Sequence, residues 1–383
     1  MKKLIILTIM ILLFFPLSVQ AIGSDTIKDS NENKQVQSLI NYMNTIKSKN
    51  ELIGSVDAKT YIKDFMLSGD GKFSNKKLVQ AITNYALREV ISSLKLMASL
   101  LVICIVCALL SNLQKAFSNE NLSDVAYFAC FAMLIVIISK SFLIGVDLAK
   151  VTINSLTDFM AALMPVLMML IVSVGGITEA AVMDPLVMGT INICARVYVD
   201  IIIPIILMSF VLQFVNNISD DFKITKLTKL MNQLALWMQG GIMTIFIGII
   251  TIRGMTTKTI DEVAVKTAKY AVDNFIPIVG KSLSDAISTV AGYSILLKNA
   301  ISGLGLVLII GIVLFPIIKL FLMAMLFKFT AACVEPISDK KLVNSINSAG
   351  DALILIMSCV ISVSVMFFIM LAIVASAGKM AMG

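Results

Sequence analysis

The first chemical signal in this chain is four charged residues set where charge is costly. Arg196 and Asp200 stand four residues apart inside the apolar run Leu186 to Val215, and Lys281 and Asp285 repeat that spacing beside Pro277. Residues four apart share a helix face, so each pair can meet. A charge at the bilayer centre costs about 2.5 to 3.5 kcal/mol on insertion scales, so these side chains are expected to face protein interior or water. Two readings stay open: each pair neutralises itself or sits nearer an interface than the hydropathy suggests, or the charges contact a passing solute or a partner subunit.

Other reactive groupings are absent or inert. The chain has no histidine, which removes imidazole zinc sites, Ser/His and Cys/His nucleophile pairs and the commonest general base. All six cysteines lie in apolar or juxtamembrane segments. Cys104 and Cys107 form a C-x-x-C inside Leu100 to Leu110, where redox or metal chemistry would lack polar access. Ser68-Gly69-Asp70-Gly71-Lys72 departs from a phosphate loop at Met66, where glycine is needed, and at Phe73, where Ser or Thr is needed. It reads as a turn. The expectation is a protein with no catalytic residue, no cofactor and no metal site.

The elements that must position those charges follow from composition. Of 383 residues, 58% are hydrophobic and 14% charged, against roughly 45 to 50% and about 25% in a soluble protein. The formal charge of +7 is carried by lysine, with arginine only at Arg88, Arg196 and Arg253. No Arg-rich patch or aromatic interleaving accompanies it, so the expected partner is membrane lipid and not nucleic acid. The apolar runs are Leu96 to Leu113, Val125 to Gly145, Phe159 to Ile177, Leu186 to Val215, Leu236 to Ile252, Ile301 to Val334 and Ala352 to Ala377. Each can cross a hydrocarbon core of about 30 Å. Ala271 to Leu297, interrupted by Lys281 and Asp285, adds an eighth if it crosses. The fold class is an all-α polytopic membrane protein of seven or eight spans.

Residues 1–21 have a basic start, an apolar stretch and Val19-Gln20-Ala21, the pattern of a signal peptide with cleavage after Ala21. Residues 22–95 are the polar part and are expected to form a small extracytoplasmic domain of three helices, with residues 96–383 as the membrane domain. Short-loop Lys and Arg divide almost evenly, so the positive-inside rule does not place the C-terminus. Lys223, Lys226 and Lys229 alternate with Ile224, Leu227 and Leu230 as a basic amphipathic helix near Trp237, read as a connector resting on lipid headgroups. Gly240, Thr244 and Gly248 stack small residues on one face, the spacing of close helix packing. The 24 methionines read as packing residues.

Prolines suggest an internal repeat. Pro165 and Pro204 are separated by the same interval as Pro277 and Pro316, Pro204-Ile205-Ile206 matches Pro316-Ile317-Ile318, and Ile218-Ser219-Asp220 matches Ile337-Ser338-Asp339. Halves of about 151–255 and 263–378, with three crossings each, would lie in opposite orientations, as in many transporter cores. The bland alternative is that proline kinks recur in membrane helices.

The order of signal peptide, short polar helical segment and long polytopic body, together with Gly292-Tyr293-Ser294, Leu296-Leu297-Lys298-Asn299-Ala300 and Glu335-Pro336-Ile337-Ser338-Asp339, resembles the stage III sporulation protein AE family from about Leu96 to the C-terminus. The resemblance implies membership of a channel complex, or feeding tube, joining mother cell and forespore in endospore-forming bacteria. It implies a place in the mother-cell membrane facing the forespore. The implied partners are the other stage III A-operon membrane proteins, including ring-forming subunits and a secretion-type ATPase, and forespore membrane protein Q. It carries over no active-site motif. The competing reading from the residues is a secondary transporter with inverted repeats moving a small solute or ion.

Overall fold

A computed structural model describes residues 75–116, 120–173, 176–218, 224–275 and 280–376. The expected signal peptide and most of the expected extracytoplasmic domain lie outside the described residues, as does Pro277. The helices are α1 (Asn75–Ala116), α2 (Glu120–Ser173), α3 (Ile177–Arg196), a six-residue π-helical turn (Val197–Ile202), α4 (Ile203–Ile218), α5 (Thr225–Phe275), α6 (Gly280–Val334) and α7 (Lys340–Ser376). There is no strand among the described residues.

Among the described residues, six helical stretches are long and apolar enough to cross a membrane: Thr83–Leu110, Phe128–Ser173, Gly189–Asn216, Thr225–Ile249, Gly292–Val334 and Lys340–Ala375. The chain is a multi-pass α-helical membrane protein. The seven apolar runs occupy six helices because Val125 to Gly145 and Phe159 to Ile177 share α2. Asp147, Lys150 and Asp158 interrupt the hydropathy between them, but no glycine or proline stands there to break the helix. Across this interval Ala149, Ile153 and Leu156 are buried while Asp147 and Asp158 are exposed. The hydroxyls of Thr152 and Thr157 donate back to Leu148 O and Ile153 O at 2.7 and 2.9 Å, so they need no outside partner. The run Ala271 to Leu297 is not a crossing of its own, since it is divided between the end of α5 and the start of α6.

Antiparallel α6 and α7 form the central hairpin, with α2 packed along it, α1 against α6 and α2, and α3–α4 and α5 against α7. The hairpin turns where Pro336 removes a backbone donor and biases Glu335 away from the helical region. Asp339, a favoured N-cap residue, opens α7, its carbonyl accepting from Leu342 N and Val343 N at 3.0 and 3.2 Å. At the α2–α3 joint, a Cβ on Gly176 would stand 2.6 Å from Ile171 Cγ2 and 3.1 Å from Ile171 O, so this close approach requires glycine.

Glycines also set how closely the long helices pack, which matters because lipid supplies no hydrophobic drive for helices to associate. A Cβ on Gly145 of α2 would stand 2.5 Å from Leu353 Cδ2 and 3.3 Å from Leu320 Cδ2. One on Gly305 of α6 would stand 2.8 Å from both Leu163 Cδ2 and Leu371 Cδ2. These contacts fix direction: α2 rises with α7 and against α6. Tyr85 and Phe315, with ring centroids 4.2 Å apart, and Glu89 and Lys319 in contact make α1 parallel to α6. Phe142 stacks on Phe210 at 3.8 Å, while Tyr198 reaches Gln239 beside Cys359, so α3–α4 runs against α7.

The helices that carry Pro204 and Pro316, α4 and α6, therefore run the same way, as do α5 and α7, the last spans of the two expected halves. A relation of α4–α5 to α6–α7 is parallel and not inverted.

With α1 antiparallel to α7, the N-terminal end of α1 and the C-terminal end of α7 emerge on one side. Single cysteines at Asn75 and Ser376 should react with a membrane-impermeant maleimide from the same face of the membrane. Labelling from opposite faces would contradict six crossings.

Candidate functional site

Polar contacts of three kinds join spanning helices among the described residues. In the first, Lys328 of α6 donates from Nζ to Asp351 Oδ1 of α7 at 2.6 Å. Asn347, one turn before Asp351, donates from Nδ2 to Oδ2 at 3.2 Å, so both carboxylate oxygens are engaged. Gly350 is what admits the lysine stem. A Cβ there would stand 3.0 Å from Lys328 Cγ and 3.1 Å from Ala324 O. In the second set, Lys319 of α6 pairs with Glu89 of α1 at 3.3 Å. One turn from Glu89, Tyr85 packs on Phe315, and the Arg88 guanidinium stands 5.6 Å from the Tyr85 ring centroid, within cation–π range. Breaking a buried ion pair from one side costs about 3 to 5 kcal/mol, because the remaining charge is stranded. These pairs are only partly enclosed and should sit below that range.

The third set is uncharged and more deeply placed. Tyr198, fully buried on the π-helical turn, donates from its hydroxyl to Gln239 O of α5 at 3.3 Å. The Gln239 side chain then bridges to α7: Nε2 donates to Cys359 Sγ at 3.2 Å, and Oε1 accepts from the Ser358 hydroxyl at 2.9 Å. Both ends of the amide are thus used between helices. Below this layer the Ser209 hydroxyl donates to Thr228 O at 3.1 Å, and Asn216 Oδ1 accepts from Ile224 N and the Thr225 hydroxyl at 2.9 and 3.0 Å, tying α4 to α5.

The π-helical turn has a local cause. Pro204 has no N–H to offer the carbonyl of Asp200 four residues back, and its ring crowds that carbonyl. The backbone widens before it, with Ile203 N donating to Tyr198 O five residues back. Such single-turn widenings are frequent at functional sites. Here the turn carries Tyr198 inward and Asp200 outward.

Arg196 and Asp200 are both exposed, and no ion pair joins them to each other or to another residue among the described residues. Lys281 and Asp285 lie in the first turns of α6, with no more than their backbone described. Pro165 lies inside α2 and Pro316 inside α6, both half-buried. Among the described residues, Gly240, Thr244 and Gly248 meet no other helix of this chain: a Cβ at either glycine would find no atom within 4 Å, and the Thr244 hydroxyl donates to Gly240 O at 2.8 Å. Cys104 and Cys107 of α1 are buried in the hydrophobic core.

Sequence reasoning missed Lys328, Asp351, Lys319 and Glu89. The available signal was two lysines inside the strongly apolar run Ile301 to Val334, each of which had to find an acceptor or reach water.

Comparison with known proteins gives the family. The family model described as stage III sporulation protein AE matches residues 56–378. The chain belongs to the stage III sporulation protein AE family. A relative of that name from Bacillus subtilis (strain 168) is 32% identical over 316 residues, covering 82% of this chain and 79% of the relative. No solved structure matches. The match begins before Leu96, so it takes in part of the polar segment as well as the membrane body. Members are sporulation proteins and not a known enzyme family, and a role in sporulation follows for this chain.

Replacing Lys328 by Ala should strand Asp351 and lower the thermal stability of the detergent-solubilised protein by about 2 to 3 kcal/mol, with the Lys328→Ala/Asp351→Ala double variant recovering at least half the loss. A double variant as unstable as the sum of the singles would show that the two side chains act independently.

Proposed function

We propose that the chain is a non-enzymatic integral membrane subunit of a transenvelope, secretion-type channel complex that serves the forespore from the mother cell. The observation that carries this reading is family membership over residues 56–378. The bundle is consistent with it: each charge-bearing contact described between spanning helices ties one helix to another, which suits a scaffold held in one arrangement. In this reading the protein lies in the mother-cell membrane, residues 22–95 face the forespore side, and its partners are the other stage III A-operon membrane proteins and forespore protein Q.

The secondary-transporter reading drew on an inverted repeat. The parallel course of the helices that carry Pro204 and Pro316 does not favour it. The remaining motive for that reading is Arg196, Asp200, Lys281 and Asp285; the ion pairs described between spanning helices, Lys319–Glu89 and Lys328–Asp351, are other residues.

Deleting the gene should leave vegetative growth normal and arrest sporulation after engulfment, with heat-resistant spores reduced by orders of magnitude. Gentle detergent extraction from sporulating cells should recover the chain together with other stage III A-operon products. A deletion strain that forms heat-resistant spores at the parental level would remove this proposal.

A further inference from the structure

Two thiols on different helices meet at one end of the bundle. Antiparallel α1 and α2 pack together, and the Cys107 side chain of α1 is hydrogen-bonded to that of Cys130 of α2. Cys104, one turn before Cys107 on the same side of α1, completes a cluster of three. Hydropathy puts Cys107 inside the apolar run Leu96 to Leu113, but the fold sets the pair near the rim of the bundle. Cys107 stands three residues from the end of the stretch Thr83–Leu110, and Cys130 two residues past the start of Phe128–Ser173. Asp339, at the turn between α6 and α7, is close enough to act on Cys107 electrostatically. Cys107 is fully buried, whereas Cys130 is half-buried and offers the accessible sulfur of the two.

We propose that Cys107 and Cys130 form a reversible disulfide that clamps α1 to α2 when a peroxide reaches the membrane. Hydrogen peroxide is small and uncharged, so it can reach a thiol at the rim of a lipid-facing bundle. The Cys130 sulfur, as its thiolate, takes one peroxide oxygen and becomes a sulfenic acid, releasing a hydroxide that takes up the thiol proton as water. The Cys107 sulfur then attacks the Cys130 sulfur; the S–S bond forms as the S–O bond breaks, and the departing oxygen leaves with the Cys107 proton as a second water. The two sulfurs together give up two electrons, which the peroxide oxygens accept. A small dithiol reverses the step by exchange. Contact between the thiols favours the disulfide over further oxidation, because the sulfenic acid has a second thiol beside it. The consequence is mechanical. Glu89 already holds α1 to Lys319 of α6, and Cys107 lies eighteen residues further along α1, about 27 Å at the rise of a helix. The disulfide would fix the far end of the same helix. The inference does not depend on the channel reading.

The test counts free thiols in the full chain. Cys333, which is exposed, is first replaced by Ser so that it cannot join two chains. Isolated membranes are treated with hydrogen peroxide, the protein is denatured in detergent, and every free cysteine is tagged with a polyethylene-glycol maleimide that adds a step of mass on a gel. Of the six cysteines, Cys333→Ser leaves five, so the chain should carry five tags untreated, three after peroxide and five again after dithiothreitol. The three-tag product should run as a single chain without reductant. Adding Cys104→Ser should still allow two tags to be lost. Adding Cys107→Ser or Cys130→Ser should abolish the loss of a pair. Where a serine variant fails to accumulate in the membrane, alanine takes its place with the same expectation. Five tags retained after peroxide, or a pair recovered only from adducts between chains, would overturn the proposal. So would a pair still lost in the Cys130→Ser chain, which would assign the bond to Cys104 and Cys107.

Discussion

Hydrocarbon offers no hydrogen-bond partner, and that constraint orders the described part of this molecule. A lysine inside a spanning helix must find an acceptor on a neighbour or reach water, so Lys328 and Lys319 of α6 fix which helices stand beside it. One draws in α7 through Asp351, the other α1 through Glu89. Between them α6 is committed to its neighbours by contacts that cannot slide by a turn without stranding a charge. Glycines at 145, 305 and 350 then allow the backbones and stems to come together at those levels.

The second half of the bundle is held by neutral groups. Gln239 stands at the junction of α5 with the π-helical turn and α7, and its backbone carbonyl and both amide atoms are spent on interhelical bonds. Loss of the amide would leave the Ser358 hydroxyl its local bond to Leu355 O, but would remove the link that crosses from α5 to α7. The widening before Pro204 belongs to the same unit, because it places Tyr198 on the inner side while Asp200 remains on the outer. One backbone feature, forced by one proline, thus serves both the interior of the bundle and its outer face.

The apolar runs were legible in the sequence because hydropathy alone decides them, and the all-α membrane architecture follows from their length. The family was legible from short strings such as Glu335-Pro336-Ile337-Ser338-Asp339, which form the turn of the central hairpin. Fusion of two runs into α2 was not legible, since Asp147, Lys150 and Asp158 end a hydropathy peak without ending a helix. The ion pairs were not legible because same-helix spacing identifies partners four residues away, whereas Lys328 and Asp351 are brought together by the register of two helices. Gln239 with Ser358 and Cys359, more than a hundred residues apart, has no sequence signature at all. Arg196 and Asp200 were visible by type and spacing, but their outward direction depends on a π-helical turn that no local motif announces.

The central claim is the direction and register of the long helices about the α6–α7 hairpin. Paired cysteines in native membranes test it: Gly145→Cys with Leu353→Cys, and Leu163→Cys with Leu371→Cys, should each form an intramolecular disulfide on mild oxidation. The crossed combinations, Gly145→Cys with Leu371→Cys and Leu163→Cys with Leu353→Cys, should not. Cross-linking of the crossed combinations in preference to the direct ones would contradict the account.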